Sequence, residues 1–269
     1  MKFDLFISDY DGTLGVAPQN DIDQETLSAI NKYVDKGGIF VVCSGRETSS
    51  ITRILKAHDI KGLVVSFQGA RISDIQSGQT VLDGGLSVEK TLEVLSAVEK
   101  YRLTALCYGE NDFFYDEKNP YIERYENAIR LVGRVADVKK EVSKNNKKVF
   151  KIVWLGDDEL VNKVADELNA VYKGKGVAFN SGAKFLLEAI NPDYSKGNAV
   201  RYLANKYGIP LDRVITVGDS TNDIPLLKGE WHGVAVGDGR EELKAVAKEI
   251  TVPFDEKPVK TLLEKYCLD

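Results

Sequence analysis

At 269 residues, with 43% hydrophobic and 29% charged residues, the chain has the composition of a globular protein and the length of one large domain or two ordinary ones. Its formal net charge of −5 lacks the basic field that nucleic acid or anionic lipid would require, so neither is expected as a partner. A local basic pocket for a single phosphate group remains compatible with that balance.

The first strand is predicted over residues 3–8 (FDLFIS), a β-branched and aromatic run followed by a polar turn. Asp4, Asp9 and Asp11 fall within this N-terminal stretch, which is unlike the unbroken apolar core of a signal peptide. A helix is predicted over 23–36, a strand over 39–43 (IFVVC), a helix over 46–58 and a strand over 62–67 (GLVVSF). The middle, about 83–190, changes character. Strand-like runs LTALCY, KVFKIVWLG and FLLEAI are spaced around helices at 87–101 and 158–170, which reads as an inserted α+β domain. Within it, the polar stretch 139–148 (KKEVSKNNKK) is read as a solvated helix end and turn. A helix over 196–207, strands over 214–217 and 233–236, and a helix over 240–248 complete the chain. No segment approaches a membrane span. The three cysteines, Cys43, Cys107 and Cys267, are far apart and odd in number, which argues against a disulfide framework and fits a reducing cytoplasm. The alternation predicts an α/β fold: a doubly wound, Rossmann-like parallel sheet from residues 1–82 and 191–269, interrupted by an α+β insert at 83–190.

Four polar clusters follow strands or open helices. The first is Asp9-Tyr10-Asp11-Gly12-Thr13-Leu14, whose two Asp, Gly and Thr arise by chance in on the order of one window in 10⁵. Carboxylates at i and i+2 on a strand end can divide the work of attack and proton exchange. An EF-hand loop is excluded by the position of the glycine; a plain Asp-Gly turn stays open for this segment alone. The second is Ser44-Gly45-Arg46, read as the start of a helix whose N-terminus would receive an anion, or equally as an ordinary Ser cap. Cys43 is not a phosphatase nucleophile of the Cys-x5-Arg kind, because position 49 is Ser. The third, Lys196-Gly197, opens a helix after AINPDY; a lone lysine there would be a surface residue. The fourth, Gly218-Asp219-Ser220-Thr221-Asn222-Asp223, reads as a second acidic turn or a helix cap. It lacks the last glycine of a serine-hydrolase elbow. Strand ends of an open α/β sheet share one crevice, so the four clusters together would supply a nucleophile, an acid/base, an anion nest, a cation and oxygen ligands for magnesium.

In this order Asp-x-Asp-Gly-Thr, Ser-Gly-Arg, Lys-Gly and Gly-Asp-x-x-Asn-Asp resemble the four motifs of haloacid dehalogenase (HAD) superfamily phosphatases. LEAINPDYSKGNAV is similar to the junction in the Cof-like subfamily, whose insert is a C2B-type cap. The resemblance implies that Asp9 attacks phosphorus and that Asp11 protonates the leaving oxygen and then activates water. It implies that Asp219, the Asp9 carboxylate and the Asp11 carbonyl hold Mg²⁺. The Tyr10 backbone, Ser44, Gly45, Lys196 and Asn222 would hold the phosphoryl group, with Asp223 behind them. Gln68-Gly69 stands where Asn-Gly is usual, Leu226 where Met is frequent and Asp238 where Asn is common, and the C-terminal Asp-Gly-Val segment is missing. The expected substrate is a small phosphorylated metabolite, a sugar or polyol phosphate. A phosphomutase using the same Asp pair and a phospho-accepting sensor are the alternatives. In the insert, Tyr108, Phe113, Phe114, Tyr115, Tyr121 and Tyr125 are expected mainly as core, and Lys184 is selected as a polar substrate contact.

Overall fold

The computed structural model describes residues 1–16, 19, 21–110, 112–144, 148–181 and 184–268. The chain opens with β1 (Leu5–Ser8), α1 (Gln24–Asp35), β2 (Ile39–Cys43), α2 (Thr48–Ala57), β3 (Leu63–Ser66), β4 (Arg71–Asp74) and β5 (Thr80–Asp83). There follow α3 (Val88–Val98), β6 (Thr104–Tyr108), β7 (Phe113–Tyr115), α4 (Pro120–Ile129), β8 (Arg134–Val135), α5 (Val138–Lys144), β9 (Lys151–Leu155), α6 (Asp158–Tyr172), β10 (Ala178–Asn180) and β11 (Leu186–Ile190). The last segment carries α7 (Lys196–Tyr207), β12 (Val214–Gly218), α8 (Ile224–Leu227), β13 (His232–Ala235), α9 (Glu241–Lys244), β14 (Glu249–Ile250) and α10 (Pro258–Leu263). Two compact units result: Met1–Leu82 with Tyr194–Asp269, and Asp83–Asp193.

The first unit is an eight-stranded sheet in the order β14-β13-β12-β1-β2-β3-β4-β5. From β14 to β3 each neighbouring pair is parallel, and β4 returns antiparallel to β3. Side-chain alternation sorts the strands between two faces. Phe6, Phe40, Val42, Val64, Ile215 and Val217 pack with α1, α2 and α10 on one face. Leu5, Ile7, Val41, Cys43, Val65 and Val214 pack with α7 and α8 on the other. Burial on both faces is why these strands read as continuous apolar runs. The doubly wound fold read from the sequence is the fold observed. The helix predicted over 240–248 is shorter, ending at Lys244, and the chain then forms β14.

The second unit is a six-stranded sheet, β10-β11-β9-β6-β7-β8, antiparallel except between β7 and β8. Cys107, Phe114, Ile152, Trp154, Phe179, Leu187 and Ala189 face α3, α5 and α6 in one core. Five of the six aromatics named from the sequence are buried, and Tyr121 is half-buried. Of the polar stretch 139–148, residues 145–147 lie outside the described residues; Val138 and Val142 of α5 are buried. Among the described residues no helix is long and apolar enough to cross a membrane.

Glu249 fastens the C-terminal segment to the sheet edge. Its carboxylate pairs with His232 Nε2 (2.8 Å) and accepts from Tyr266 Oη (2.6 Å) and Lys265 Nζ (2.8 Å). Burial alone would raise this carboxyl, but those three partners outweigh it and hold it at about 2, below the ordinary 4.5. A depressed carboxyl stabilises the fold above its unfolded value and loses that contribution as pH falls toward its folded one. Glu249→Gln is therefore expected to lower Tm by about 2–4 °C at pH 7. Denaturation midpoints measured from pH 7 downward should show the gap to native narrowing below pH 4.5; a constant gap would place the effect in packing.

Candidate active site

β12, β1 and β2 are adjacent, and Ser8, the last residue of β1, is in register with Val217 and Val42, each one residue before the end of its own strand. The first residues beyond the three strands, Asp9, Ser44 and Asp219, therefore emerge within one residue of the same level at the carboxyl ends, where open α/β sheets bind ligands. Asp9 continues the Leu5–Ile7 alternation and so points to the α7 face. There it meets Lys196, the first residue of α7.

Lys196 is 1% exposed. Its ammonium donates to Asp9 Oδ1 (2.5 Å) and Asp223 Oδ1 (2.6 Å). Burial opposes the charge, but those two carboxylates outweigh it and hold the lysine well above its ordinary range. A surface lysine is what the isolated residue would suggest; this one is a buried counter-ion. Asp223, fully buried, uses Oδ1 on Lys196 and Oδ2 on the backbone N–H groups of Asp219 and Ser220 (both 3.1 Å). It thus ties the cation to the turn that presents Asp219.

One oxygen from each of Asp9, Asp219 and Asp223 lies within 4.8 Å of the other two. Burial pushes the Asp9 carboxyl up, with Asp223 and Asp219 adding to the effect and Lys196 opposing it. Asp219 is raised to about 6, by burial first and then by the charge of Asp223. Thr13 Oγ1 donates to Asp219 Oδ1 (3.2 Å). Gly12, at φ 81°, leaves the Asp219 carboxylate the space a Cβ would take, 2.6 Å from Oδ2. Three carboxylates around one contacting ammonium leave surplus negative charge on an all-oxygen donor set, which fits a hard divalent cation such as Mg²⁺. Both oxygens of Asp223 are already engaged, so Asp9 and Asp219 are the carboxylates suited to hold it.

Asp11 is half exposed (side chain 46%) and paired bidentately with Arg46: Nε to Oδ2 at 2.7 Å, Nη2 to Oδ1 at 2.5 Å. The Arg46 guanidinium also lies over the Tyr10 ring at 5.0 Å. The Tyr10 carbonyl accepts from the N–H groups of Thr13, Leu14 and Gly15, closing the turn that carries Asp11. Ser44 is buried, its Oγ accepting from Arg46 N–H (3.1 Å). The helix expected to start at Arg46 begins instead at Thr48, because the Glu47 carboxylate caps it through Ser49 and Ser50 N–H. Ser44 therefore sits in the loop before the helix and does not cap it. Asn222 Nδ2 donates to Gln68 Oε1 (3.4 Å). Cys43 is buried beside the cluster and burial pushes its thiol up to about 12, which leaves no thiolate for attack. Lys184, in the second unit, is exposed and lies two residues before β11.

The structure thus brings Asp9, Lys196, Asp219 and Asp223 into one cluster, with Asp11, Ser44 and Asn222 on the loops around it. Arg46, Thr13 and Gln68 make contacts to which the sequence alone gave no role. Arg46 and Thr13 were nevertheless inside the motifs, and Gln68 was visible as a departure from the usual Asn.

The family model for haloacid dehalogenase-like hydrolases matches residues 6–263. The chain belongs to this family. Among curated relatives of this HAD hydrolase, 5-amino-6-(5-phospho-D-ribitylamino)uracil phosphatase YitU of Bacillus subtilis is 24% identical, covering 97% of each chain. The chloroplastic endoribonuclease YBEY of Arabidopsis thaliana is 24% identical over 98% of this chain but 47% of its own length. The crystal structure of TM0651 from Thermotoga maritima has the same fold, with a TM-score of 0.88 at 20% identity, covering 99% of this chain and 100% of that one.

Proposed function

We propose that this HAD hydrolase is a Mg²⁺-dependent phosphatase of small phosphomonoesters, sugar or polyol phosphates, acting through an aspartyl-phosphate on Asp9. The observation that carries the reading is the buried Asp9–Lys196–Asp223 array with Asp219 alongside. It pairs a pre-positioned nucleophile with a fixed cation and a metal-ready carboxylate. The relative named as a phosphatase of a phosphorylated ribitylamino compound supports the polyol side of the substrate class.

Bound Mg²⁺, held by Asp9, Asp219 and the Asp11 carbonyl, would supply charge neutralisation around the phosphoryl oxygens. The chain's own groups do the rest. A carboxylate oxygen of Asp9 forms the bond to phosphorus as the bond to the leaving oxygen breaks, and Asp11 gives that oxygen its proton. Water then attacks phosphorus, Asp11 takes the proton, and Asp9 is released. The Lys196 ammonium, already fixed by two carboxylates, stabilises charge that develops on the phosphoryl group without reorganising. The Tyr10 backbone, Ser44, Gly45 and Asn222 complete the phosphoryl contacts. These groups account for the phosphoryl group and the metal alone. Selection among substrates accordingly falls to the Asp83–Asp193 unit, where Lys184 is the chosen contact.

A screen of sugar phosphates, polyol phosphates, phosphoglycolate, nucleotides and pyridoxal phosphate tests the substrate class. Preference for an oligonucleotide or phosphoprotein by about tenfold over every sugar and polyol phosphate would overturn it. EDTA is expected to stop the reaction and Mg²⁺ to restore it, with Ca²⁺ a poor replacement because of its looser, higher coordination. Asp219→Ala should raise the Mg²⁺ concentration for half-maximal activity by at least about tenfold. An unchanged magnesium titration removes Asp219 from the ligand set.

A further inference from the structure

At the end of β3 the backbone does something costly. Phe67 and Gln68, neither of them glycine, take φ of 50° and 59°, and Gly69 follows at 106°. Such backbone persists where the surroundings over-determine it, and it concentrates at functional sites. Here the surroundings are three loops of the candidate site. Phe67 N–H donates to the Arg46 carbonyl (2.9 Å) and Gln68 N–H to the Ser44 carbonyl (3.2 Å). A Cβ on Gly69 would stand 2.2 Å from the carbonyl oxygen of Ser195, the residue that caps α7 immediately before Lys196. The Gln68 side chain extends the same turn. Its Nε2 packs 2.4 Å from where a Gly45 Cβ would be, and its Oε1 accepts from Asn222 Nδ2.

The geometry points to Gln68 as a positioning residue. Its amide braces Asn222 against Gly45, while the left-handed turn beneath it sets the spacing of the loops that bear Ser44, Lys196 and Asn222. The inference rests on the phosphatase reading, which gives those loops the phosphoryl group to hold. It also explains a residue that the four motifs leave without a role.

A merely structural Gln68 would act on stability, so the test uses a substitution that separates stability from site geometry. Glycine adopts φ 59° without strain, and Gln68→Gly is expected to keep Tm within a few degrees of native. Its KM and its dissociation constant for inorganic phosphate, measured by calorimetry with Mg²⁺ present, should rise about tenfold, with kcat changing less. Gln68→Asn keeps an amide and tolerates left-handed backbone; it should recover affinity to within about threefold of native. In an Asn222→Ala background Gln68→Gly should add little, since the two act as one contact. Equal phosphate affinity in native and Gln68→Gly, or fully additive losses with Asn222→Ala, overturns the inference and leaves the phosphatase reading intact when the native chain turns over. If the native chain hydrolyses no phosphomonoester yet binds phosphate with an affinity that Gln68→Gly loses, the functional reading fails and the positioning role stands. A native chain that binds no phosphate overturns both.

Discussion

Asp9→Asn is expected to reduce kcat by at least about a thousandfold with the fold intact. Asp9 is buried at the end of β1 and has nearly the volume of asparagine, so the substitution leaves no cavity. The amide oxygen can still accept from Lys196, as the carboxylate oxygen does at 2.5 Å. What is lost is the nucleophile: an amide does not form the covalent bond to phosphorus. Removing one charge from a cluster that includes Asp219 and Asp223 also relieves repulsion, so Tm should hold or rise. Steady-state kcat on the best substrate of the screen, with Tm alongside, checks both halves. A variant that keeps more than a few per cent of native turnover would rule out attack by Asp9.

The parts of this fold that the sequence displayed are those governed by short-range rules. β2 appears in the structure at the predicted bounds, Ile39–Cys43, because a strand buried on both faces needs an unbroken apolar run. The motifs were legible because chemistry at strand ends demands polar residues where packing would prefer none. The hairpin-like β4 and β5 were not read as strands: Arg71, Asp74 and Asp83 give them mixed ends, and Arg71 is buried only through contacts that form on folding, including Nη2 to Thr80 Oγ1 (2.8 Å). The start of α2 was misplaced because Ser44 and Glu47 are both competent caps, and the choice between them depends on Ser44 turning its Oγ to Arg46 N–H. The burial of Lys196 had no local signal whatever. Its two partners are 187 and 27 residues away in the chain, so its environment exists only once β1, α7 and the turn after β12 have come together. Gln68 is the intermediate case, an atypical residue visible in sequence whose left-handed backbone is set by loops remote from it.

Lys196→Met should be the most damaging of these substitutions for stability and should impair activity as well. Methionine approximates the volume of the lysine stem, so packing is largely retained. What disappears is the ammonium that contacts Asp9 and Asp223, and a buried pair broken at one partner costs about 3–5 kcal/mol because the remaining charge is left uncompensated. Loss of a fixed cation at the phosphoryl group should lower kcat/KM by at least about a hundredfold as well. The stability deficit carries a pH signature. Burial already pushes Asp9 up with the lysine present; without the ammonium that opposes it, Asp9 would be raised further. A carboxyl whose folded pKa exceeds its unfolded value favours the fold below that unfolded value, and the advantage is lost as pH rises through the folded one. Relative to native, the variant should therefore regain stability as pH is lowered from 8 toward 5. Urea denaturation midpoints across that range, in EDTA so that no added cation replaces the ammonium, make the comparison. A deficit that is constant with pH would assign the loss to packing and remove Lys196 from its role as counter-ion to the Asp9 nucleophile.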